Sequence, residues 1–270
     1  MTSLITWVSR DHQRFAALHV ASDSRVSWEV TAGRWDAGRK VFASKVTPDI
    51  WAYCGDVLFP ALVLSQLVSA ADHGLVLGEG PPEIRHARAV EAMQASFRRR
   101  HRAVERDFTI LHASREGEGR DARPRLWRTS VVVKTGTWVD EELAIDENFA
   151  GVVERFGTGR VSMTLAGQPW KGSAVGETSR AVYSGFCDSL KSGKDPSTGG
   201  APQLASLFPR GPGRTSGVLH DGDLYLHGLP ILEVCGASEI EWYDRLFQRI
   251  DPTTRARRLG AARQPRPKGI

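Results

Sequence analysis

The second residue of the chain could do chemistry by itself. Removal of Met1 would leave Thr2 at the N-terminus, with a hydroxyl nucleophile and an α-amine base on one residue. An α-amine has a pKa of about 8, so a usable neutral fraction exists near pH 7, whereas a lysine amine near 10.4 stays protonated. Many chains begin Met-Thr and use the threonine for nothing, so the dipeptide leaves both readings open.

Composition predicts a globular protein that lies in the cytoplasm. Of the 270 residues, 41% are hydrophobic, which suffices for a full core. The longest apolar run, residues 57–71, is interrupted by polar residues and proline, and it is too short to span a bilayer. No secretory signal is recognisable at the N-terminus. The three cysteines, Cys54, Cys187 and Cys235, lack C-x-x-C spacing, so we expect buried thiols, with no disulfide framework, metal or cofactor.

The net charge of +5 belongs to the C-terminal end of the chain. Residues 251–270 hold six basic residues and one acidic one, which leaves 30 basic and 30 acidic residues in the rest. A nucleic-acid partner is therefore not indicated for the body of the protein. The Arg, Pro and Gly content of residues 251–270 predicts a disordered tail beside one domain of residues 1–250.

The order of elements predicts an α+β fold. Alternating apolar residues indicate an N-terminal hairpin and further short strands. Helical spacing predicts Leu58–Asp72 and residues 81–104, then 173–193, and the stretch "ASEIEWYDRLFQRI" is predicted to form a last short helix. Strands grouped before and after the first helices favour a four-layer αββα sandwich, in which two stacked, mainly antiparallel sheets are covered by helices.

Six short motifs follow one another over residues 2–200. They are "TSLITWV", "ASDSRVSW", "GRKVF", "YCGDVLFPALVL", "GSAVGETSRAV" and "DPSTGG". In this order, the chain resembles the proteasome-type family of N-terminal nucleophile hydrolases, which includes proteasome β-subunits and the peptidase of the bacterial two-component heat-shock protease. That family carries a lysine about sixteen positions after the aspartate of the second motif, and here the separation is seventeen.

The resemblance implies a role for each matched residue. Thr2 would be the nucleophile, Lys40 a cation that favours the alkoxide, and Asp23 the carboxylate that holds Lys40 in place. The backbone N–H of Gly55 would donate to the oxyanion. Tyr53, two residues earlier, would line and narrow the substrate pocket, which favours small or extended side chains.

An outer shell is implied as well. Ser173, Asp195 and Thr198 would hold the α-amine and the nucleophilic water, although Ser197 could take the place of one of them. Thr198 stands where the family usually has serine, and its hydroxyl can make the same hydrogen bonds.

Three functions remain open at this point. The first is a threonine-type peptidase that hydrolyses peptide or unfolded protein substrates inside a homo-oligomeric ring, with a possible ATPase unfoldase partner. The second is a non-catalytic structural or interaction subunit on the same fold, which retention of Met1 would favour because a blocked amine cannot act as a base. The third is a small-molecule amidohydrolase with the same nucleophile.

Overall fold

An antiparallel hairpin of β1 (Leu4–Asp11) and β2 (Arg14–Ser22) begins the fold. Leu4 and Val8 pack on one side of β1, and Ile5 and Trp7 on the other. Side chains on both faces are buried, as alternation along a central strand requires. The computed structural model describes residues 2–12, 14–28, 33–101, 106–235 and 239–269.

This hairpin lies within the larger of two main sheets. The strand order there is β10-β1-β2-β11-β12-β13-β14, and a short pair, β15 and β16, joins it through β12. The later strands are β10 (Gly151–Phe156), β11 (Gln203–Leu207), β12 (Arg214–His220), β13 (Asp223–Leu226), β14 (Leu229–Ile231), β15 (Trp242–Tyr243) and β16 (Arg249–Ile250). Pairing is antiparallel throughout except between β12 and β15.

The second main sheet has five antiparallel strands in chain order. They are β5 (Val41–Ala43), β6 (Asp49–Gly55), β7 (Phe108–Glu116), β8 (Arg123–Val132) and β9 (Thr137–Glu142). A separate small hairpin pairs β3 (Val26–Ser27) with β4 (Arg34–Trp35).

Helices cover the outer faces of both sheets. The helices α1 (Leu58–Asp72) and α2 (Pro82–Phe97) pack on the five-stranded sheet, where Leu64 and Met93 share a core with Trp51. The helices α3 (Arg160–Lys171) and α4 (Ser179–Lys191) cover the larger sheet. Between the sheets lies a third apolar core that includes Leu18 and Ile50. The predicted four-layer α+β sandwich is confirmed.

Two predicted helices and the predicted burial of one cysteine need correction. The sequence reading missed α3 and placed one helix over 173–193, whereas α4 begins at Ser179. The stretch predicted as the last helix instead contains the strands β15 and β16, and its first two residues, 237–238, lie outside the described part of the chain. Residues 102–105, at the predicted end of α2, also lie outside it. Cys235 is exposed, not buried.

The segment after β16 lies against the body of the protein instead of extending as a disordered tail. Arg266 Nη2 is 2.6 Å from Asp188 Oδ2 on α4, and Gln264 N donates to Gln248 Oε1 at 3.0 Å. Ala261 is buried. Across the described ranges, no helix has the length and apolar character needed to cross a bilayer.

Candidate active site

The open end of the first hairpin brings Thr2 and Asp23 together. Leu4 pairs with Ser22, so the residues that flank the hairpin meet beyond its last pair. There Asp23 N donates to Ser3 O, and Ser3 N donates to Asp23 Oδ1, both at 3.0 Å. A local hairpin register therefore places the predicted nucleophile beside the predicted carboxylate.

Lys40 reaches this place from the other sheet. Its Nζ donates to Asp23 Oδ1 at 2.8 Å and to Thr2 Oγ1 at 3.2 Å. Thr2, Asp23 and Lys40 all have 0% relative exposure. The attraction between the carboxylate and the amine at this distance offsets part of the cost of removing both groups from water.

Further backbone donors hold the Asp23 carboxylate. Arg25 N donates to its Oδ2 at 3.2 Å, and Gly199 N donates to the same oxygen at 3.1 Å. Together with Ser3 N and Lys40 Nζ, these contacts fix both carboxylate oxygens. The Lys40 amine consequently has a rigid anchor, which a general electrostatic role in catalysis requires.

Gln203 positions the segment that carries Lys40. Its Oε1 accepts from Lys40 N at 2.9 Å and from Val41 N at 3.3 Å, while its Nε2 donates to Gly38 O at 2.7 Å and to Asp23 O at 3.2 Å. Gln203 is the first residue of β11 and is buried. One amide thus ties the edge of the five-stranded sheet to the larger sheet at the site. The sequence reading missed Gln203, since a lone glutamine at the start of a strand carries no local signal.

A Gly157-Thr158-Gly159 turn approaches Thr2 from the N-terminal end of α3. Gly159 N donates to Thr2 O at 3.3 Å. Gly157 has a φ of +82°, and a Cβ at this position would lie 2.1 Å from Thr2 O. Glycine is required there because the two backbones approach so closely. Thr158 is therefore held next to Thr2, and its placement was not foreseen.

The hydroxyl of Thr158 joins the segment that carries Asp195. Its Oγ1 lies 3.0 Å from Ser197 Oγ, and Ser197 donates through both Oγ and N to Asp195 Oδ1. Burial raises the pKa of Asp195, but the hydrogen bonds from Ser197 and Thr158 outweigh that effect and hold the pKa below its usual value. Thr198 N and Oγ1 donate to Asp195 O at 3.1 and 3.3 Å.

Arg25 fastens this segment to the site. Its guanidinium makes a bidentate pair with Asp36 at 2.7 and 2.8 Å, and its Nη1 donates to Pro196 O and Thr198 O. The hydrogen bond with Asp36 raises the pKa of Arg25, with partial burial acting in the opposite direction. The arginine of the "ASDSR" motif therefore has a structural role that the sequence reading did not assign.

Gly55 ends β6 with a φ of +100°, and a Cβ there would lie 2.4 Å from Asp107 O. Only glycine fits this approach. Burial raises the pKa of the neighbouring Cys54 thiol to about 11, and Lys40 acts in the opposite direction.

Two predicted site residues lie elsewhere. Ser173 follows α3, where its Oγ donates to Trp170 O at 2.7 Å and accepts from Val175 N. The 12 residues of α3, about 18 Å of helix, separate it from Thr158, so Ser173 does not join the hydrogen-bonded group of Thr158, Ser197 and Asp195. Tyr53 points into the helix-covered core, has 0% exposure, and donates to Arg39 O at 3.2 Å. As described, it presents no surface to an open pocket.

A cavity borders the outer shell. Its volume is about 310 Å³, and its lining includes Thr158, Asp195, Val161, Leu165 and Lys194. A larger cavity of about 620 Å³ lies beside Arg10 and Arg14, at the opposite end of the first hairpin from Thr2. Among the described residues, no group of three His, Cys, Asp or Glu side chains could hold a metal ion.

Comparison with known proteins shows a likeness in fold. No family model and no curated protein sequence matches the chain. A mutant of Anbu from Hyphomicrobium sp. strain MC1 superposes with a TM-score of 0.50 at 15% identity, over 80% of this chain and 87% of that one. Anbu is a proteasome-like N-terminal nucleophile hydrolase, and at this identity the likeness concerns the fold alone.

Two further solved structures resemble the chain more weakly. HslV from Trypanosoma brucei gives a TM-score of 0.45 at 9% identity, over 76% of this chain and 99% of that one. BPH from Thiobacillus denitrificans gives a TM-score of 0.48 at 15% identity, over 78% of this chain and 99% of that one.

Proposed function

We propose that the chain is an N-terminal nucleophile hydrolase of the threonine type, in which Thr2 Oγ1 attacks an amide carbonyl after removal of Met1. The observation that carries the proposal is the buried triad, in which Lys40 Nζ lies 3.2 Å from Thr2 Oγ1 and 2.8 Å from Asp23 Oδ1. A fixed cation beside a hydroxyl favours its alkoxide form.

The mechanism needs the free α-amine of Thr2. The neutral amine takes the hydroxyl proton, the oxygen attacks the carbonyl carbon, and the oxyanion that forms accepts from Gly55 N–H. Collapse of this intermediate breaks the C–N bond, and the departing amine receives the proton from the α-ammonium. Water, deprotonated by the same amine, then hydrolyses the ester and restores Thr2.

The outer shell supports this role for the amine. Asp195 Oδ2 is buried and has no hydrogen-bond partner among the described residues, so it can accept from a newly arrived donor. Asp195 belongs to the same hydrogen-bonded group as Thr158, whose flanking glycines contact Thr2. We propose that Asp195, Thr158 and Ser197 orient the α-amine and the hydrolytic water, and that Thr198 shapes their backbone.

We take the substrate to be a peptide or an unfolded protein segment, and the working form to be a cytoplasmic homo-oligomeric ring that could be fed by an ATPase unfoldase. The supporting argument is chemical: amide hydrolysis by an unprotected N-terminal threonine must be kept from other cytoplasmic proteins. The cavity beside Thr158 would receive the leaving side of the chain, where Val161 and Leu165 offer apolar contacts.

Complete burial of Thr2 favours a second candidate. A nucleophile with 0% exposure reaches no substrate unless the site opens, and Tyr53, which was expected to line the pocket, is buried in the helix-covered core. A subunit that keeps the fold and the ion pair but performs no hydrolysis would have these properties. The two candidates differ in the state of the N-terminus.

Intact mass and covalent labelling decide between them. The proposal expects loss of Met1 and labelling of Thr2 by a peptide epoxyketone, which bridges the hydroxyl and the amine. Thr2→Ala should abolish the adduct, Thr2→Ser should retain it, and Thr164→Ala, at an exposed position on α3, should not change it. A folded protein that keeps Met1 and resists the reagent would support the non-catalytic candidate. If Thr2 is labelled but no peptide is hydrolysed, small-molecule amides become the expected substrates.

A further inference from the structure

A row of four titratable side chains crosses the interface between α2 and the five-stranded sheet. Asp49 Oδ1 lies 3.0 Å from His112 Nε2, His112 Nδ1 lies 2.9 Å from His86 Nδ1, and His86 Nε2 lies 3.0 Å from both oxygens of Asp140. Asp49, His112 and His86 are buried. None of the four belongs to the candidate active site.

Aromatic rings fix the orientation of both imidazoles. Trp51 stacks on His112 with centroids 4.6 Å apart, and Trp127 stacks on His86 at 4.7 Å. The two imidazoles are themselves nearly parallel, at an interplanar angle of 16°. Rotating either ring by half a turn would place carbon atoms at both of its polar contacts, so the observed orientation is the one that satisfies the row.

Counting protons along this row gives a definite result. The row contains three contacts at hydrogen-bond distance, Asp49 to His112, His112 to His86, and His86 to Asp140, and each contact needs one proton between its two heavy atoms. Two neutral imidazoles supply only two protons. With two protons, at least one contact would set two lone pairs against each other.

We propose that Asp49, His112, His86 and Asp140 form a binding site for one additional proton, which holds α2 against the sheet. His86 belongs to α2, while His112, Asp49 and Asp140 belong to β7, β6 and β9. The bound proton completes the contact between the two imidazoles. When the proton is lost, the lone pairs of the two Nδ1 atoms face and repel each other across the interface, which weakens the packing of α2 on the sheet.

Charge balance favours the additional proton. Two carboxylates and the guanidinium of Arg85 meet in this row, with Arg85 Nε 2.9 Å from Asp49 Oδ2. Counting all three charged groups gives a net charge of −1 without the proton and neutrality with it. The Asp140 side chain is 40% exposed, so water solvates part of its charge.

Charged and polar side chains on the packed elements surround the row. On α2, Arg85 pairs with Asp49, and Glu83 lies further out, 3.7 Å from Arg125. Arg115 on β7 acts on Asp49 only through its distant charge, and Arg125 on β8 lies over the Trp127 ring. Two hydroxyls donate hydrogen bonds to the carboxylates, Ser114 to Asp49 at 2.6 Å and Thr129 to Asp140 at 2.7 Å.

The pKa values of His112 and Asp140 are shifted by burial and by their neighbours in the row. Burial lowers the pKa of His112, and the hydrogen bond with Asp49 acts in the opposite direction. Burial raises the pKa of Asp140, but His86 and Thr129 outweigh it and the pKa is lowered. Because the contacts are shared, the row takes up and releases its proton as a unit, with an apparent pKa that belongs to all four groups.

The pH dependence of unfolding tests the proposal. Unfolded histidines release their protons near pH 6.5, and the proposal requires the folded row to keep its additional proton above that pH. Above about pH 6.5 the folded state then binds one proton more, so the unfolding constant rises about tenfold for each pH unit until the row releases it. We expect this slope in the wild type, measured by denaturant titration at several pH values.

His86→Phe is the variant that should remove the slope. It preserves the aromatic stack between His112 and Trp127, and the remaining His112 needs only its own proton to bond Asp49. His73→Phe, at an exposed position at the end of α1, is the matched control and should keep the wild-type slope. Because the comparison is between variants, any contribution from the Thr2 amine cancels. Equal slopes in the wild type and His86→Phe would overturn the proposal.

A second measurement applies even if His86→Phe does not fold. In the wild type with ¹⁵N-labelled histidine, nuclear magnetic resonance at pH 7 should find three protons on the four ring nitrogens of His86 and His112, or two there and one on Asp140. One of the three should be shared between the Nδ1 atoms and exchange slowly with water. Two ordinary neutral rings with only two protons in the row would refute the inference. Neither measurement depends on hydrolytic activity.

Discussion

Lys40 Nζ and Asp23 Oδ1 lie 2.8 Å apart, and neither side chain is accessible to solvent. The two residues belong to different sheets: Asp23 follows β2 in the larger sheet, and Lys40 precedes β5 in the smaller one. The ion pair therefore belongs both to the candidate active site and to the contact between the two stacked sheets. Removing either partner would destabilise the fold, because the other would remain as a buried, uncompensated charge.

We therefore expect Lys40→Met to affect both stability and reactivity. Removing one member of a buried ion pair costs about 3–5 kcal/mol, with the lower end expected here because Asp23 keeps its backbone donors. This differs from the expectation for an exposed lysine, whose removal would leave the fold unaffected. Labelling of Thr2 should fall about a hundredfold or more, since the alkoxide loses its cation. Lys45→Met, at an exposed position, serves as the control in denaturant titration and labelling.

Gln203→Met tests whether one amide holds the site together. The substitution keeps the approximate volume but leaves Lys40 N, Asp23 O and their neighbours without partners, so the free energy of unfolding should fall by about 2 kcal/mol. If Lys40 shifts as a result, labelling of Thr2 should slow by about ten- to a hundredfold. Gln66→Met, exposed on α1, should change neither quantity. An unaffected labelling rate would limit Gln203 to a structural role.

Thr158→Val and Ser173→Ala together test which of the two hydroxyls supports the Thr2 site, the one that the structure places near it or the one that the sequence predicted. Valine matches threonine in shape but cannot bond Ser197, so we expect slower labelling of Thr2, by about ten- to a hundredfold, with a free energy of unfolding lowered by about 1 kcal/mol. Ser173→Ala removes a hydroxyl that contacts only the end of α3 and should leave the labelling rate unchanged. If Ser173→Ala slowed the labelling of Thr2 and Thr158→Val did not, Ser173 and not Thr158 would be the hydroxyl that supports the site.

His19 should contribute to the loss of stability at acid pH, together with His227, whose pKa burial also lowers to about 3. Burial lowers its pKa from 6.5 to about 3, so between these values the unfolded state binds more protons and stability falls as pH falls. The difference of about 3.5 units corresponds to about 5 kcal/mol at full effect. His19→Phe keeps the stack on Trp7 and should flatten this part of the profile, measured by thermal unfolding from pH 7 to pH 3. His73→Gln should follow the wild type.

Arg266→Met tests the attachment of the C-terminal segment. Arg266 pairs with Asp188 through two nitrogens, at 3.1 and 2.6 Å, with both side chains partly exposed. Allowing for solvent screening, we expect a loss of about 0.5–1 kcal/mol and faster proteolysis after residue 250. Arg263→Met, at an exposed position, is the control. Identical proteolysis of both variants would show that the segment does not depend on this pair.

The central residues of the candidate site were predicted from the resemblance of short motifs to a known family. Thr2, Asp23 and Lys40 each stand next to the end of a strand, but the strand pattern by itself did not indicate that their side chains meet. Thr158 and Gln203 were not predictable in this way. Their roles arise from contacts across the fold, with Ser197 and with the Lys40 segment.

The misassigned helices have local causes. Within α3, Gly167 and Pro169 interrupt the helical signal, yet Gly167 lets α4 approach so closely that a Cβ on Gly185 would lie 3.0 Å from it. In the stretch predicted as the last helix, Asp244 Oδ1 accepts from Leu246 N and Gln248 N. This carboxylate forms a turn between β15 and β16, which competes with the helix that the apolar spacing favours.

The division of the site between two sheets has a consequence for how the sequence can change over time. Thr2 and Lys40 keep their separation only while the core between the sheets keeps its thickness, and Leu18 and Ile50 help to set that thickness. A substitution in that core can thus alter the reacting distance without touching a single reacting atom. If Thr2 is the nucleophile, selection on activity also acts on side chains in this core that never meet a substrate, and we expect substitutions there to occur together with compensating ones.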